Sequence, residues 1–277
     1  MKKLFILILA ALPFSGIAQK NCCSMSSTQQ FAQLASNEVF NSSHLAPEPF
    51  TYTEEKGEMI TYPCTDGKEA HAYLIKSSKP SVKWLFIFHE WWGLNDYIKR
   101  EADRYAAEFP DVNVLALDLY EEKVAETPAV AQELMTGMKD ERARSIINGA
   151  IQKAGTNSKI ATIGWCMGGG WSLQASMLAG KHAAGCVMYY GMPEKDLSKL
   201  KNLQADVLGI FATKDQWINE EVVNQFKSDM EIAGKKITIK NYNADHAFAN
   251  PSNPKFDKMA SEDARKLVVS FLKIHLK

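Results

Sequence analysis

The sequence predicts an α/β domain with a mostly parallel central sheet and helices on both of its faces. Three observations lead there. Short apolar runs of strand length alternate with longer segments whose apolar residues recur at helical spacing. The run over residues 82–89 is nearly continuous in apolar side chains, as a strand buried on both faces requires. The residues with chemistry to offer fall just after strands, at the edge where open α/β sheets bind ligands.

Taken in order, residues 1–18 read as a cleavable signal peptide. Met1-Lys2-Lys3 is a short positive region, and the apolar run that follows over residues 4–12 is too short to span a bilayer, which needs about 20 residues. Gly16 and Ala18 are the small residues a signal peptidase reads, so cleavage is expected before Gln19. A lipid anchor on Cys22 is disfavoured by the large polar residues Gln19-Lys20-Asn21 ahead of it. The chain is therefore expected to be exported, periplasmic or secreted. Residues 19–49 form a polar arm, expected to be loosely ordered apart from a short helix around residues 28–34. Residues 50–277 make one domain, a length that suits a single full-sized core.

Within the domain, strands are predicted over residues 70–76, 82–89 and 112–117, with a helix over 97–109 between the last two. Helices follow over 128–139 and 141–154, broken near residues 137–140. A strand leads through Ile160-Ala161-Thr162-Ile163 into Gly164, and a helix begins around Trp171. Strands over 183–190, 207–212 and 236–242 alternate with helices over 220–233 and 256–276. No repeat or low-complexity tract interrupts the series.

The charge balance excludes some partners. With 32 basic and 32 acidic residues the formal net charge is zero, and no basic stripe offers a hold to nucleic acid or an anionic membrane. No segment after the leader is long and apolar enough to cross a bilayer. The five cysteines, Cys22, Cys23, Cys64, Cys166 and Cys186, include no C-x-x-C, so neither a zinc knuckle nor a thioredoxin-type site is indicated. Cys186 reads as a small core residue. Cys22, Cys23 and Cys64 leave open a disulfide that would tie the arm down.

The most informative segment is Gly164-Trp165-Cys166-Met167-Gly168, between a strand and a helix. It has the layout of a nucleophile elbow with cysteine in place of serine; the glycines leave room for a strained turn, and the helix N-terminus favours a thiolate. Alone the string is weak, because buried cysteines in glycine-rich turns are common. Two further segments strengthen it. The strand over 207–212 delivers Asp215, and the strand over 236–242 is followed by Asn243-Ala244-Asp245-His246. Nucleophile, acid and base in that chain order are the arrangement of α/β-hydrolases. A thiol with a pKa near 8.5 is only partly ionised at neutral pH, so His246 would take its proton or stabilise the thiolate. Asp215 would hold the imidazole tautomer and offset its charge.

His89-Glu90-Trp91-Trp92-Gly93 closes the central strand. It is not a zinc helix, since a His-Glu-x-x-His string would need histidine where Gly93 stands. The loop after this strand is where the second oxyanion donor belongs, so the backbone N–H groups of Trp91 and Met167 are the expected pair. Glu90 is expected to point at the thiol and keep it protonated at rest. No metal or other cofactor is expected.

These residues together resemble the dienelactone hydrolases. The likeness covers residues 69–275 and is carried by His89-Glu90-Trp91-Trp92-Gly93, Leu117-Asp118-Leu119-Tyr120, Gly164-Trp165-Cys166-Met167-Gly168-Gly169 and Asp245-His246-Ala247-Phe248. It is also seen in Tyr189-Tyr190-Gly191 and Lys214-Asp215-Gln216-Trp217-Ile218. The resemblance implies an α/β-hydrolase fold, a Cys-His-Asp triad of Cys166, His246 and Asp215, and a glutamate, Glu90, that restrains the resting thiol. The sequence departs from the family where arginines hold the substrate carboxylate: those neighbourhoods read Glu121-Glu122-Lys123 and Phe248-Ala249-Asn250. Lys123 could stand in for one arginine only as a point charge, without the bidentate fork. The export signal and polar arm are further departures.

Trp92, Tyr120, Lys123, Trp217 and Phe248 are the candidate pocket residues, each with packing as the alternative role. The expected function is hydrolysis of a small carboxylic ester or lactone by a monomer. Two alternatives stay open: a ligand- or partner-binding protein on a hydrolase scaffold, and an acyltransferase using the same triad.

Overall fold

A computed structural model describes residues 25–277. The expected signal peptide, its cleavage point, Cys22 and Cys23 lie outside the described residues. The chain begins with helices α1 (Ser27–Ala35) and α2 (Glu38–Ser43), followed by the hairpin β1 (Glu58–Pro63) and β2 (Glu69–Ile75). Then come β3 (Lys83–Phe88), α3 (Asp96–Glu108), β4 (Asn113–Leu117), α4 (Pro128–Gly137) and α5 (Asp140–Ala154). The remainder is β5 (Lys159–Trp165), α6 (Met167–Ala179), β6 (Ala183–Tyr189), α7 (Leu197–Leu200), β7 (Asp206–Ala212), α8 (Glu220–Ile232), β8 (Ile237–Tyr242) and α9 (Lys258–His275).

The eight strands form one sheet in the order β1-β2-β4-β3-β5-β6-β7-β8. β1, β2 and β4 pair antiparallel, and from β4 through β8 every pairing is parallel. The expected architecture is borne out. Every residue of β4 is buried, as are all but the first of β3, β5 and β7, which accounts for their unbroken apolar sequences. Helix α6 lies against β3, β5 and β6, α3 against β2 and β4, and α9 against β6 and β7. Arg265 of α9 reaches Glu101 of α3 at 2.9 Å, joining those two helices. Capping follows the local sequence: Asn95, Thr127, Asn219 and Asp257 each accept a backbone N–H at a helix start.

The structure corrects two expectations. The arm is not loose over residues 27–44. Ser26 and Gln29 form a capping box on α1, Asn37 caps α2, and Phe31, Ala35, Phe40 and His44 are buried. A six-residue helix is marginal alone, so packing holds α2; each fully buried phenylalanine contributes about 1.5–3 kcal/mol. The second correction is β1, an edge strand with little apolar signal because most of its side chains face solvent. Among the described residues Cys64, Cys166 and Cys186 are free and buried. No described helix is long and apolar enough to cross a membrane.

Candidate active site

β5 ends at Trp165 and α6 begins at Met167, leaving Cys166 alone at the turn with φ 57° and ψ −121°. A side chain in this region costs about 1–3 kcal/mol, and surrounding structure must hold it there. The surroundings do so through contact. A Cβ on Gly164 would strike the carbonyl of Gly168, and one on Gly168 would strike the carbonyls of Phe88 and His89. Strand, turn and helix can approach this closely only with glycine at both places. The Cys166 N–H donates to the Tyr189 carbonyl at 3.0 Å, fixing the turn to β6.

His246 arrives from the loop after β8 and Asp215 from the loop after β7. His246 Nε2 is 3.4 Å from Cys166 Sγ, and His246 Nδ1 is 2.5 Å from Asp215 Oδ2. The other Asp215 oxygen accepts the N–H groups of Trp217 and Ile218 at 2.9 and 3.0 Å. Burial works against an ionised Asp215, but the His246 contact and these two N–H donors outweigh it and hold the carboxyl below its ordinary range. Burial likewise works against a charged His246, and Asp215 with Cys166 lifts it well above the usual imidazole value. Burial pushes the Cys166 thiol up, opposed by His246 and reinforced by the charge of Glu90.

Glu90 is 6% exposed and takes two hydrogen bonds, from Tyr190 Oη at 3.4 Å and from the Asn250 side-chain amide. Its effect on the thiol is electrostatic; among the described residues its hydrogen-bond partners are Tyr190 and Asn250. A cavity of about 260 Å³ opens beside it, lined among others by Trp92, Trp165, Tyr189, Phe256 and Arg265. His89 has a scaffold role. Its Nδ1 donates to the Glu90 carbonyl at 2.6 Å and its Nε2 accepts the Leu119 N–H at 3.1 Å, tying the loops after β3 and β4 together. The backbone N–H groups of Trp91 and Met167 donate to no backbone carbonyl among the described residues.

The candidate pocket residues divide. Trp92 is buried against Trp91 with ring centroids 5.0 Å apart and lines the cavity beside Glu90. Tyr120 donates to the sulfur of Met167 at 3.3 Å, which places it beside the elbow. Trp217 is half-buried, its ring 6.0 Å from that of His246. Phe248 is wholly buried between Tyr190 and Tyr242 and acts as packing beneath the site. Lys123 has an exposed side chain, and its backbone carbonyl packs at Gly93.

The arm closes the site from outside. The Phe40 ring packs edge-on against Trp91 at 5.4 Å and Trp217 at 5.0 Å. His44 lies 4.9 Å from Trp91 and 5.3 Å from His246, ring to ring. Its Nδ1 donates to the Phe40 carbonyl at 2.7 Å, and burial pushes its pKa down to about 3, so the imidazole is neutral. Cys166 is 1% exposed beneath these residues.

Residues 70–276 match the model of the dienelactone hydrolase family, three quarters of the chain. The chain belongs to the dienelactone hydrolase family. It is similar to Protein usf of Aquifex pyrophilus, 29% identical over 79% of this chain and 99% of that one. It is also similar to carboxymethylenebutenolidase 1 of Cupriavidus pinatubonensis, 24% identical over 73% of this chain and 90% of that one. A dienelactone hydrolase-like promiscuous phosphotriesterase from metagenomic libraries shares the fold, with a TM-score of 0.68 at 20% identity over 80% of this chain and all of that one. Membership makes the chain a hydrolase of this family's type, and the family's chemistry is hydrolysis of a lactone or ester.

Four residues at the site were not singled out as site residues from sequence: Phe40, His44, Tyr190 and Asn250. Tyr190 and Asn250 stood inside segments already compared with the family, but their contact with Glu90 spans 100 and 160 residues. Asn37 before Glu38-Val39-Phe40 was a readable cap for α2, and nothing local told where that helix would dock.

Proposed function

We propose that this chain hydrolyses a carboxylic ester or lactone of a small substrate through Cys166, His246 and Asp215. The observation that carries this is the continuous line from Asp215 Oδ2 through His246 to Cys166 Sγ, with steps of 2.5 and 3.4 Å. Asp215 accepts from Nδ1, so Nε2 is the atom that takes the thiol proton as sulfur attacks the carbonyl. The oxyanion then rests on the N–H groups of Trp91 and Met167. Collapse of the intermediate returns that proton through His246 to the leaving oxygen and leaves a thioester on Cys166. Water, deprotonated by His246, hydrolyses the thioester and restores the thiol. Glu90 keeps Cys166 protonated until substrate is bound. The leader-like residues 1–18 support export, so the reaction belongs outside the cytoplasm.

Cys166→Ala is expected to abolish turnover of an activated aryl ester and labelling by a thiol alkylator at the site. Asp215→Asn should lower kcat by about 10²–10⁴-fold with the fold retained. Unimpaired turnover by Cys166→Ala would refute the assignment. The covered thiol favours a second reading, a ligand-binding protein on this scaffold. That reading predicts no ester turnover from a chain whose Cys166 is intact and reduced.

A further inference from the structure

We propose that His44, Cys166 and His246 together bind one zinc(II) ion that holds the site shut. One ligand atom of each residue lies within 4.8 Å of the other two, and all three side chains are buried. Two imidazole nitrogens and a thiolate are a donor set that zinc takes readily. Zinc–sulfur bonds of about 2.3 Å and zinc–nitrogen bonds of about 2.0–2.1 Å put tetrahedrally arranged donors roughly 3.6 Å apart. Cys166 Sγ and His246 Nε2 already stand at 3.4 Å.

The outer supports of such a site are built as well. Metal-bound histidines characteristically donate their second ring N–H to a carboxylate or a backbone carbonyl, which fixes tautomer and ring direction. His246 does this with Asp215 at 2.5 Å and His44 with the Phe40 carbonyl at 2.7 Å, so Nε2 is the ligand atom of both. Three protein ligands leave a fourth position for water. The reaction balances without an oxidant or reductant: the protons held on Cys166 Sγ and His246 Nε2 go to solvent, and the sulfur and both Nε2 atoms bond to zinc through lone pairs. Sulfur bound to zinc cannot attack a carbonyl, and Nε2 bound to zinc cannot take a proton. Because His44 belongs to the arm and Cys166 to the elbow, the ion also staples the arm over the site. The inhibitory consequence rests on the hydrolase reading above, whereas the binding itself does not.

The test uses the full chain freed of metal with a chelator and then titrated with cobalt(II) as a spectroscopic stand-in. A thiolate-to-cobalt charge-transfer band should appear, saturate at one ion per chain and vanish when zinc is added, and Cys166→Ala should lack it. Loss of outer-shell partners typically costs about 10–100-fold in metal affinity, so loss of a ligand in His44→Gln should cost at least about tenfold. His44→Cys, which restores a ligand, should recover most of that affinity, and a purely structural role for His44 would not produce this rescue. Zinc should also raise the melting temperature and suppress ester turnover. Absence of the band, unchanged affinity in His44→Gln, or turnover stimulated by zinc would each overturn the proposal. A band without any turnover in chelated protein refutes the hydrolase reading and leaves the metal site standing; turnover without a band does the reverse.

Discussion

Glu90 illustrates how much a single buried group contributes at this site. Burial pushes its carboxyl from the ordinary range up to about 7, against the pull of His246 and its bonds to Asn250 and Tyr190. The folded chain therefore holds this proton between about pH 4.5 and 7 while the unfolded chain has released it. Stability from this group is fully present below the unfolded value and is lost as pH rises through the folded one. A displacement of this size corresponds to about 3 kcal/mol. Glu90→Gln should accordingly lose less stability than the parent between pH 5 and 8, as measured by urea unfolding across that range. The same change removes a negative charge that raises Cys166, so the pH midpoint for alkylation of Cys166 should fall. An unchanged midpoint would show that Glu90 does not govern the thiol. Cys166, Asp215 and His246 were readable because each sits in a local string at a strand end. The partners of Glu90 were not, because contacts over 100 and 160 residues leave no mark on neighbouring sequence.

Among the elements, the α1–α2 arm departs furthest from what its sequence suggests. Its composition is polar because α1 and α2 show solvent one side each, and the few apolar residues that face inward are too sparse to announce a docked hairpin. The parallel strands were legible for the opposite reason: burial on both faces demands an apolar residue at nearly every position. Phe40 is the arm's main anchor, packed against Trp91 and Trp217 with no exposure. Phe40→Ala should weaken the closed arm by about 3–5 kcal/mol if the gap does not collapse. Each 1.4 kcal/mol lost from the closed form is about tenfold in its population against the open one. Alkylation of Cys166 by iodoacetamide should therefore quicken markedly in Phe40→Ala while global unfolding by denaturant changes much less. Equal changes in both would mean that the arm and the domain open as one unit.

At the scale of the whole molecule, the parallel region from β4 to β8 gathers residues from β3, β5, β7 and β8 at one edge, and the chain reaches back over that edge with its first helices. Alternation of strand and helix announced the sheet, while the antiparallel edge strand β1 escaped notice because its exposed face carries no pattern. The linker behind the arm sets how far it can travel. Tyr97 Oη donates to the Glu48 carbonyl at 2.9 Å, and further along Asp96 accepts the Tyr52 N–H at 2.8 Å and Asp103 the Lys56 N–H at 2.9 Å. Between His44 and the first of these moorings lie only Leu45, Ala46 and Pro47, a leash of about 15 Å at full stretch. An opened arm thus stays within reach of the thiol and meets it again at millimolar effective concentration, whatever the dilution of the protein. Tyr97→Phe removes the hydroxyl mooring but keeps the ring that packs on Phe50 at 4.7 Å, so the leash lengthens by about half. Effective concentration falls with about the −3/2 power of length, so re-closure should weaken about twofold and Cys166 should label about twofold faster. The hydroxyl of Tyr97, bonded to the linker behind the arm, is in that sense a setting for how often the thiol is seen by solvent.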